Sequence, residues 1–523
     1  MAKLFKRGNT VSDTGDAVSS GRAGYTSLVA KGAMINFSGM AGRMLLVYGY
    51  TFLLARMLPV SELGEYFLMF TIINLLGLAS MVGLDLGVVR YVALYAGENK
   101  LGLARRALGA GLAFGLPVSL FFMTGLMVAA PYVTDHFFEN DELAITGLRI
   151  FAMAIPFMVA ARLFNATTQG MHKMRYQVLS RDIGEQVAKI SISGAVLFLG
   201  AGLIGVVWAN LAAVAIAAAM AMVFALYILA GPVVKDDTDA RPALAVLKYS
   251  YPLAMANILI AVTLWIDTLL LGFLGTTEDV GFYGVALKIS QFGSKIIMAF
   301  IVVFMPVIAD LWNRKKAQEL KELYMTVSRW IFTLCFPVFL IIVMFSDSLM
   351  RIFGSGFVAG STSLTVLAVG QMLTATTGAA GLMILMSGHS KLELFNVVVN
   401  LTVDVILCVL LIPTYGLLGA AIANMAALGV VNLIRVIEVW FFMRMFAYNR
   451  SYLKPVIAGA AGGLVVAVIG RFLLDGISLV QLAVLASILL IIYILAIVVM
   501  GLEDQDRAIL ARVKASVTGA KPA

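Results

Sequence analysis

Charge is what this sequence has least of. Only 13% of its 523 residues are Asp, Glu, Lys or Arg, while 61% are hydrophobic and the mean hydropathy is +0.97. Soluble domains carry roughly a quarter charged residues, so a soluble globule is excluded and most of the surface must face lipid. Cysteine is nearly absent. Cys335 and Cys408 both sit inside apolar runs, where a thiol acts as a small hydrophobe, so neither a disulfide framework nor a thiolate metal site is expected. His136, His172 and His389 stand singly, without metal-ligand spacing. No P-loop, cysteine pair or nucleophile motif occurs, and GAGLIG (200–205) matches the dinucleotide fingerprint only in letters, since no strand precedes it. Ten-residue alternating segments are missing too, which excludes a membrane barrel. The expectation is a protein without cofactor, resident metal or catalytic group.

What is present is a succession of apolar stretches about 20 residues long, each able to cross a bilayer. Backbone amides in lipid must be satisfied within their own segment, so these stretches are predicted as helices. Fourteen are placed, at 34–57, 63–88, 104–130, 144–168, 184–201, 204–230, 248–273, 281–309, 324–345, 362–386, 394–413, 417–440, 455–474 and 478–501. With the N-terminus inside, 27 of the 38 bases fall on one face and Arg56, Arg351 and Arg471 on the other. That asymmetry predicts both termini in the cytoplasm of an inner-membrane protein. It also accounts for the net charge of +9 without nucleic acid as a partner. The polar start of the chain shows no cleavable signal.

An internal repeat divides the first twelve helices. GLIGVVWANLAA (202–213) matches GLLGAAIANMAA (416–427), LARMLPVSELGEY (54–66) is echoed by LGFLGTTEDVGFY (271–283), and TTQGMHK (167–173) by LMSGHSK (385–391). Six helices bring each repeat back to the same side, so the two bodies are related by an axis along the membrane normal. The expected organisation is a polar tail (1–33), an N-lobe (34–231), a linker (232–247), a C-lobe (248–441), two extra helices within 455–501 and a C-terminal tail (502–523).

Eight bases remain inside predicted helices. Arg329 and Arg435 lie near helix ends and are expected to snorkel, whereas Arg43, Arg149, Arg162, Lys189, Lys288 and Lys295 lie deeper. Only Asp267, Asp404 and, nearer the inner edge, Asp85 oppose them. A charge at a helix centre costs about 2.5–3.5 kcal/mol on insertion scales, so such residues face partners or water. Asn36, Arg43 and Tyr50 share one helical face; Lys288, Gln291 and Lys295 share another. Two readings follow: a hydrated cationic cavity between the lobes that admits an anionic ligand, or a set of structural pairs such as Lys288–Asp267. Arg149 and Arg162 do not share a face unless Pro156 kinks their helix. Asp267, Asp404 and Asp85 are candidates for proton or sodium coupling, and a counter-ion role is the alternative.

LARMLPVSELGEYFL, GLDLGVVRYVALYAGE (83–98) and TTQGMHKMRYQ resemble the opening helices of the Wzx-type oligosaccharide flippases. These are polysaccharide transporters of the superfamily that also holds the lipid II flippase and multidrug extruders. The resemblance spans helices one to twelve and lies in punctuation, with no catalytic signature. It implies two six-helix lobes plus two helices and alternating access. The implied substrate is a glycan on polyprenyl pyrophosphate moved to the outer leaflet, with polysaccharide assembly enzymes as possible partners. The rivals are a cation extruder of the same superfamily, which needs an acidic cavity, and a polytopic glycosyltransferase or polymerase, which needs large external loops.

Overall fold

The computed structural model describes residues 42–138, 142–230, 242–470, 478–501 and 503. Every regular element among them is helical. In chain order the first half holds α1 (42–57), α2 (Val60–Met81), α3 (Leu84–Gly97), α4 (Leu101–Phe137), α5 (Glu142–Ala152), α6 (Ala154–Gly170), α7 (Met174–Gln177), α8 (Glu185–Phe198) and α9 (Gly202–Leu229), with a π-helix at Val178–Gly184. The second half holds α10 (Pro242–Leu274), α11 (Thr277–Ser290), α12 (Phe292–Asn313), α13 (Ala317–Met344), α14 (Ser346–Phe353), α15 (Ser361–Thr377), α16 (Ala380–Met386), α17 (Ser390–Tyr415) and α18 (Leu417–Glu438), followed by α19 (Leu453–Gly470) and α20 (Leu479–Val499).

Among the described residues, eleven helical stretches are long and apolar enough to span a bilayer, and a twelfth is the bent pair α11–α12. The chain is an all-α, multi-pass membrane protein. The two further expected spans fall on α1, described over 42–57, and on α8, whose 14 residues continue the π-helix. The fourth expected span breaks at Met153, between α5 and α6, and not at Pro156. Proline is tolerated in the first turn of α6 because its missing N–H has no acceptor there anyway.

Packing follows the halves of the chain. In the first, α6 and α8 pack on α9, and α3 on α4 and α6; in the second, α15 and α17 pack on α18, and α13 on α15. The hairpin from α17 to α18 turns at Gly416, whose φ of +52° a side chain would resist. The halves meet where α2 crosses α10 and α11, and again where α10 packs on α3 and α4, with Ser250 against Gly87 and the Tyr249 ring under Arg90. Contact is close enough that a Cβ on Gly64 would overlap the Thr277 carbonyl oxygen and one on Gly281 the Val60 carbonyl oxygen. Gly64 and Gly281 occupy equivalent positions of the repeat, so the seam is reciprocal. It sits near the start of both α2 and α11, on the face opposite the basic loops. Beyond the bend, α12 packs on α13, α15 and α16 instead. The two halves therefore touch at this seam near the base-poor face and again, through α10 on α3 and α4, beside the basic loops.

Gly64→Val and Gly281→Val are each expected to destabilise by about 1–3 kcal/mol, the usual cost of overpacking. Each is also expected to raise maleimide labelling of Thr277→Cys from the base-poor side. Wild-type stability and labelling in both variants would contradict the seam.

Candidate functional site

Two polar assemblies lie within the membrane-spanning helices. The first is built around α1 and the π-helix. Arg43 and Tyr50 are two turns apart on α1, as the heptad spacing predicts. Tyr50 is buried edge-on against Tyr66, with ring centroids 6.2 Å apart, and its hydroxyl lies 3.3 Å from Ser193 Oγ. The Arg43 side chain keeps 39% exposure, and its Nη1 is 3.4 Å from Asp182 Oδ1, long for a charge-assisted bond. Asp182 and Arg181 both belong to the π-helix, whose wider turn re-aims side chains that an α-helix would carry past this point. Glu185 Oε1 lies 2.8 Å from Lys189 Nζ, a buried pair within α8. Arg162 on α6 and Asp85 on α3 complete the group as electrostatic neighbours of Arg181.

The second half supplies Lys288 and Lys295, one on each side of the 43° bend between α11 and α12. Gln291 is the residue at the bend. Lys288 Nζ donates to Thr51 Oγ1 at 3.1 Å and stands 4.0 Å from the Phe67 ring centroid. A desolvated cation–π contact is worth about 2 kcal/mol. Tyr48 donates its hydroxyl to the Lys288 carbonyl oxygen at 2.8 Å, so α1 grips the bend from the other half. Among the described residues no carboxylate pairs with Lys288 or Lys295; their charged neighbours are the bases Lys189 and Arg43 respectively. Six bases thus face three carboxylates, Asp85, Asp182 and Glu185. Local pairing leaves the assembly positive.

The second assembly is acidic and lies inside the second half. Asp267 on α10 is buried, and its Oδ2 accepts from Tyr283 Oη and from Asn424 Nδ2, each at 2.8 Å. Asp404 on α17, also buried, lies against Asp267 and accepts from Cys408 Sγ at 3.7 Å. No base takes part. Among the described residues, buried oxygens without a donor include Asp267 Oδ1, Oδ1 of the Asn424 that donates to Asp267, and Asn400 Oδ1, one turn before Asp404 on α17. Buried acceptors without donors are rare in proteins and mark a place that a cation or proton can complete. Carboxyl and amide oxygens are the hard donors that such an ion takes.

Residues 29–312 match the family model described as polysaccharide biosynthesis protein, which is more than half of the chain. The chain belongs to that family. It is 26% identical over 161 residues to the probable low-salt glycan biosynthesis flippase Agl15 of Haloferax volcanii, covering 31% of this chain and 34% of the relative. This match thus spans about a third of that relative's length. The chain is 21% identical over 475 residues to the uncharacterized membrane protein MJ1068 of Methanocaldococcus jannaschii, 85% of this chain and 90% of the other. The fold is shared with the lipid II flippase MurJ in an inward closed conformation, at TM-score 0.67 and 15% identity, over 89% of this chain and 98% of that one. An inward-facing multidrug resistance MATE transporter of the MOP superfamily is similar at TM-score 0.64 and 17% identity, over 79% and 98%.

For this polysaccharide biosynthesis family member, the structure sorts the residues expected from sequence. It brings Arg43, Arg162, Lys189, Lys288 and Lys295 into one electrostatic neighbourhood, with Tyr50 beside it. Asn36 lies outside the described residues. Arg149 does not join: it is exposed, and its Nε donates to the Met127 carbonyl at 3.3 Å, because the break at Met153 separates its helix from that of Arg162. Asp85 lies with the arginines and apart from Asp267 and Asp404, its Oδ1 accepting from the Leu86 amide at 2.9 Å. Among the described residues no base pairs with Asp267 or Asp404, and Lys288 bonds to Thr51 in place of the alternative Lys288–Asp267 pair. Arg329 does not snorkel but is buried, and Arg435 is bound to Glu393.

Arg181 and Asp182 fall before the fifth expected helix, which begins at 184, whereas the helical path runs from Met174; Glu185 lies inside that helix but is not among the acids expected to oppose the deep bases. The spacing of Asp182, Glu185, Gln186 and Lys189 on one helical face was the available signal. Glu185→Gln is expected to cost about 3–5 kcal/mol in detergent-solubilised protein by leaving Lys189 buried and unpaired. Adding Lys189→Met should restore most of that loss in a thermal-unfolding assay. A mild single variant would mean that the pair is solvated.

Proposed function

We propose that this protein is a flippase that carries an oligosaccharide on polyprenyl pyrophosphate from the cytoplasmic to the outer leaflet by alternating access. It works in the cytoplasmic membrane with both termini inside, and it makes no bond. The observation that carries this reading is the base excess at the junction of the two halves, above all Lys288 and Lys295, which no carboxylate neutralises. Phosphate oxygens accept strong charge-assisted hydrogen bonds from Lys and Arg. The base excess therefore favours an anionic passenger over a cationic drug. Arg43, Arg162, Lys288 and Lys295 hold the pyrophosphate or acidic sugars, while Asn36, Tyr50 and Gln291 offer hydroxyl and amide groups to the glycan. Lys189 sets the field from behind, paired to Glu185.

To load a lipid-linked substrate from the basic face, the lobes part where α10 packs on α3 and α4, while the seam at Gly64 and Gly281 stays shut. The two six-helix lobes rock about the α2–α11 contact. The Asp267–Asp404 site couples the rocking to a proton or sodium ion. The reading is supported by the family match and by the relative named as a probable glycan biosynthesis flippase. Deleting the protein is expected to strand a lipid-linked oligosaccharide on the cytoplasmic leaflet, detectable by leaflet-selective glycan labelling of isolated lipid. Normal outward movement in the deletion strain overturns the proposal. Accumulation of an unelongated glycan on the outer leaflet would identify a polymerase instead.

A further inference from the structure

The coupling site proposed above is buried, so an ion must reach it by some route. The cleft between the halves is a poor one, since its six bases repel a cation from every level between Arg43 and Lys288. A second route is visible along α17. The helix turns one face inward, and the buried residues on that face are Asn396, Asp404, Cys408 and Ile412. Asn400 lies between the first two, one turn from each. Asn396, Asn400 and Asp404 therefore form a straight polar column, rising roughly 12 Å at 1.5 Å per residue.

Among the described residues, two steps of the column carry an acceptor with nothing to accept, and Asp267 beside Asp404 carries a third. Asn396 is 0% exposed; its Nδ2 donates to Glu438 Oε2 at 2.7 Å while its Oδ1 has no donor. Asn400 Oδ1 and Asp267 Oδ1 are in the same condition. An asparagine buried on a membrane helix with its oxygen unpaired is costly, and burial of a row of them is unexplained by packing. The column ends at the basic face in a small acidic mouth. There Glu438 has Glu393, Arg435 and His389 as its charged or titratable neighbours, and Glu393 is bound to Arg435. That leaves Glu438 as the surplus charge, negative amid a face otherwise rich in Lys and Arg.

We propose that the inward face of α17 is the passage by which the coupling cation moves between the cytoplasm and Asp404–Asp267. Glu438 forms its mouth, and Asn396 and Asn400 are its stepping oxygens. The passage keeps the ion inside the second half, away from the anionic passenger and its bases. The inference rests on the cation-coupling reading, and its test separates the two.

Purified protein in proteoliposomes is loaded with radioactive sodium, and equilibrium binding and exchange rate are measured for wild type, Asn396→Leu and Glu438→Gln. Gln can still accept from Asn396, so the second variant removes charge without breaking the contact. Binding within about threefold of wild type, with exchange slowed about tenfold or more in both variants, is the expected result for loss of a lining group. If the ion is a proton, wild type binds no sodium and the same comparison is made on proton uptake after a pH step. Wild-type exchange rates in both variants overturn the passage, and a rate moved instead by Arg43→Gln would put the ion in the cleft. A wild-type protein that binds neither ion overturns the coupling site, and the passage with it.

Discussion

Replacing Lys288 and Lys295 together by glutamine is expected to abolish glycan translocation while leaving the protein in the membrane at its usual level. Each ammonium bound to phosphate contributes about 1.5–3 kcal/mol as a charge-assisted contact, so the pair is worth roughly 100-fold or more in transport. The structural alternative makes the opposite demand on stability. A lysine that held the fold through an ion pair would destabilise the protein when removed. Lys288 has no such pair; it is held by Thr51 and by the Phe67 ring, beside the like charge of Lys189. Removing an unpaired cation from a desolvated site relieves a cost, so Lys288→Gln is expected to keep or raise the unfolding temperature as transport falls. Functional residues commonly show this opposition between stability and activity. Unimpaired flux of labelled lipid-linked glycan in the double variant, at equal expression, would remove both lysines from the site.

How much of this was legible follows from what sequence periodicity encodes. Apolar length and helical phase are local, so the membrane class and the faces shared by Arg43 with Tyr50 and by Lys288 with Lys295 could be read directly. Partner choice is not local. The sequence count of six deep bases against three acids is met in the structure, but with a different membership. Arg181 stands where Arg149 was expected, because a π-helix draws the former inward and the break at Met153 turns the latter out. Asp182 and Glu185 replace Asp267 and Asp404 as the opposing acids: Asp182 because the helical path starts earlier than its apolar core suggests, Glu185 because its i,i+4 partner Lys189 draws it into the group. No periodic pattern marks a π-turn.

The repeat explains why the two halves now do different things. Tyr66 and Tyr283 occupy equivalent positions, as do Asn210 and Asn424. In the first half Asn210 Nδ2 donates to Tyr66 Oη at 2.7 Å, and the aromatic Tyr50 stands beside them. In the second half the position equivalent to Tyr50 is Asp267, which takes hydrogen bonds from both Tyr283 and Asn424. One substitution within a duplicated frame has thus turned a neutral tyrosine–asparagine contact into a carboxylate centre. Asp404 beside it adds a second acid, and the two face each other without a base.

Two carboxyls in a low-dielectric interior need a positive partner between them. The expected consequence is a stability that depends on the ion. Ligand bound only to the folded state stabilises by about 2.7 kcal/mol at 100 times its dissociation constant. Wild type in detergent should therefore gain several degrees in unfolding temperature with sodium, or with acid if the ion is a proton. Asp404→Asn removes one charge and places an amide donor near the unsatisfied oxygens of Asp267, Asn400 and Asn424. That variant is expected to be at least as stable as wild type without the ion and to gain nothing from it. Asp267→Asn also loses the ion response but weakens the acceptor for Tyr283 and Asn424, so it is expected to be less stable than Asp404→Asn. Transport driven by an ion gradient should vanish in both, while glycan binding at the cationic junction persists, because the bases there are untouched. An unchanged ion response in Asp404→Asn would reduce the acid pair to a structural contact and leave the driving force of the flippase to be sought among the bases.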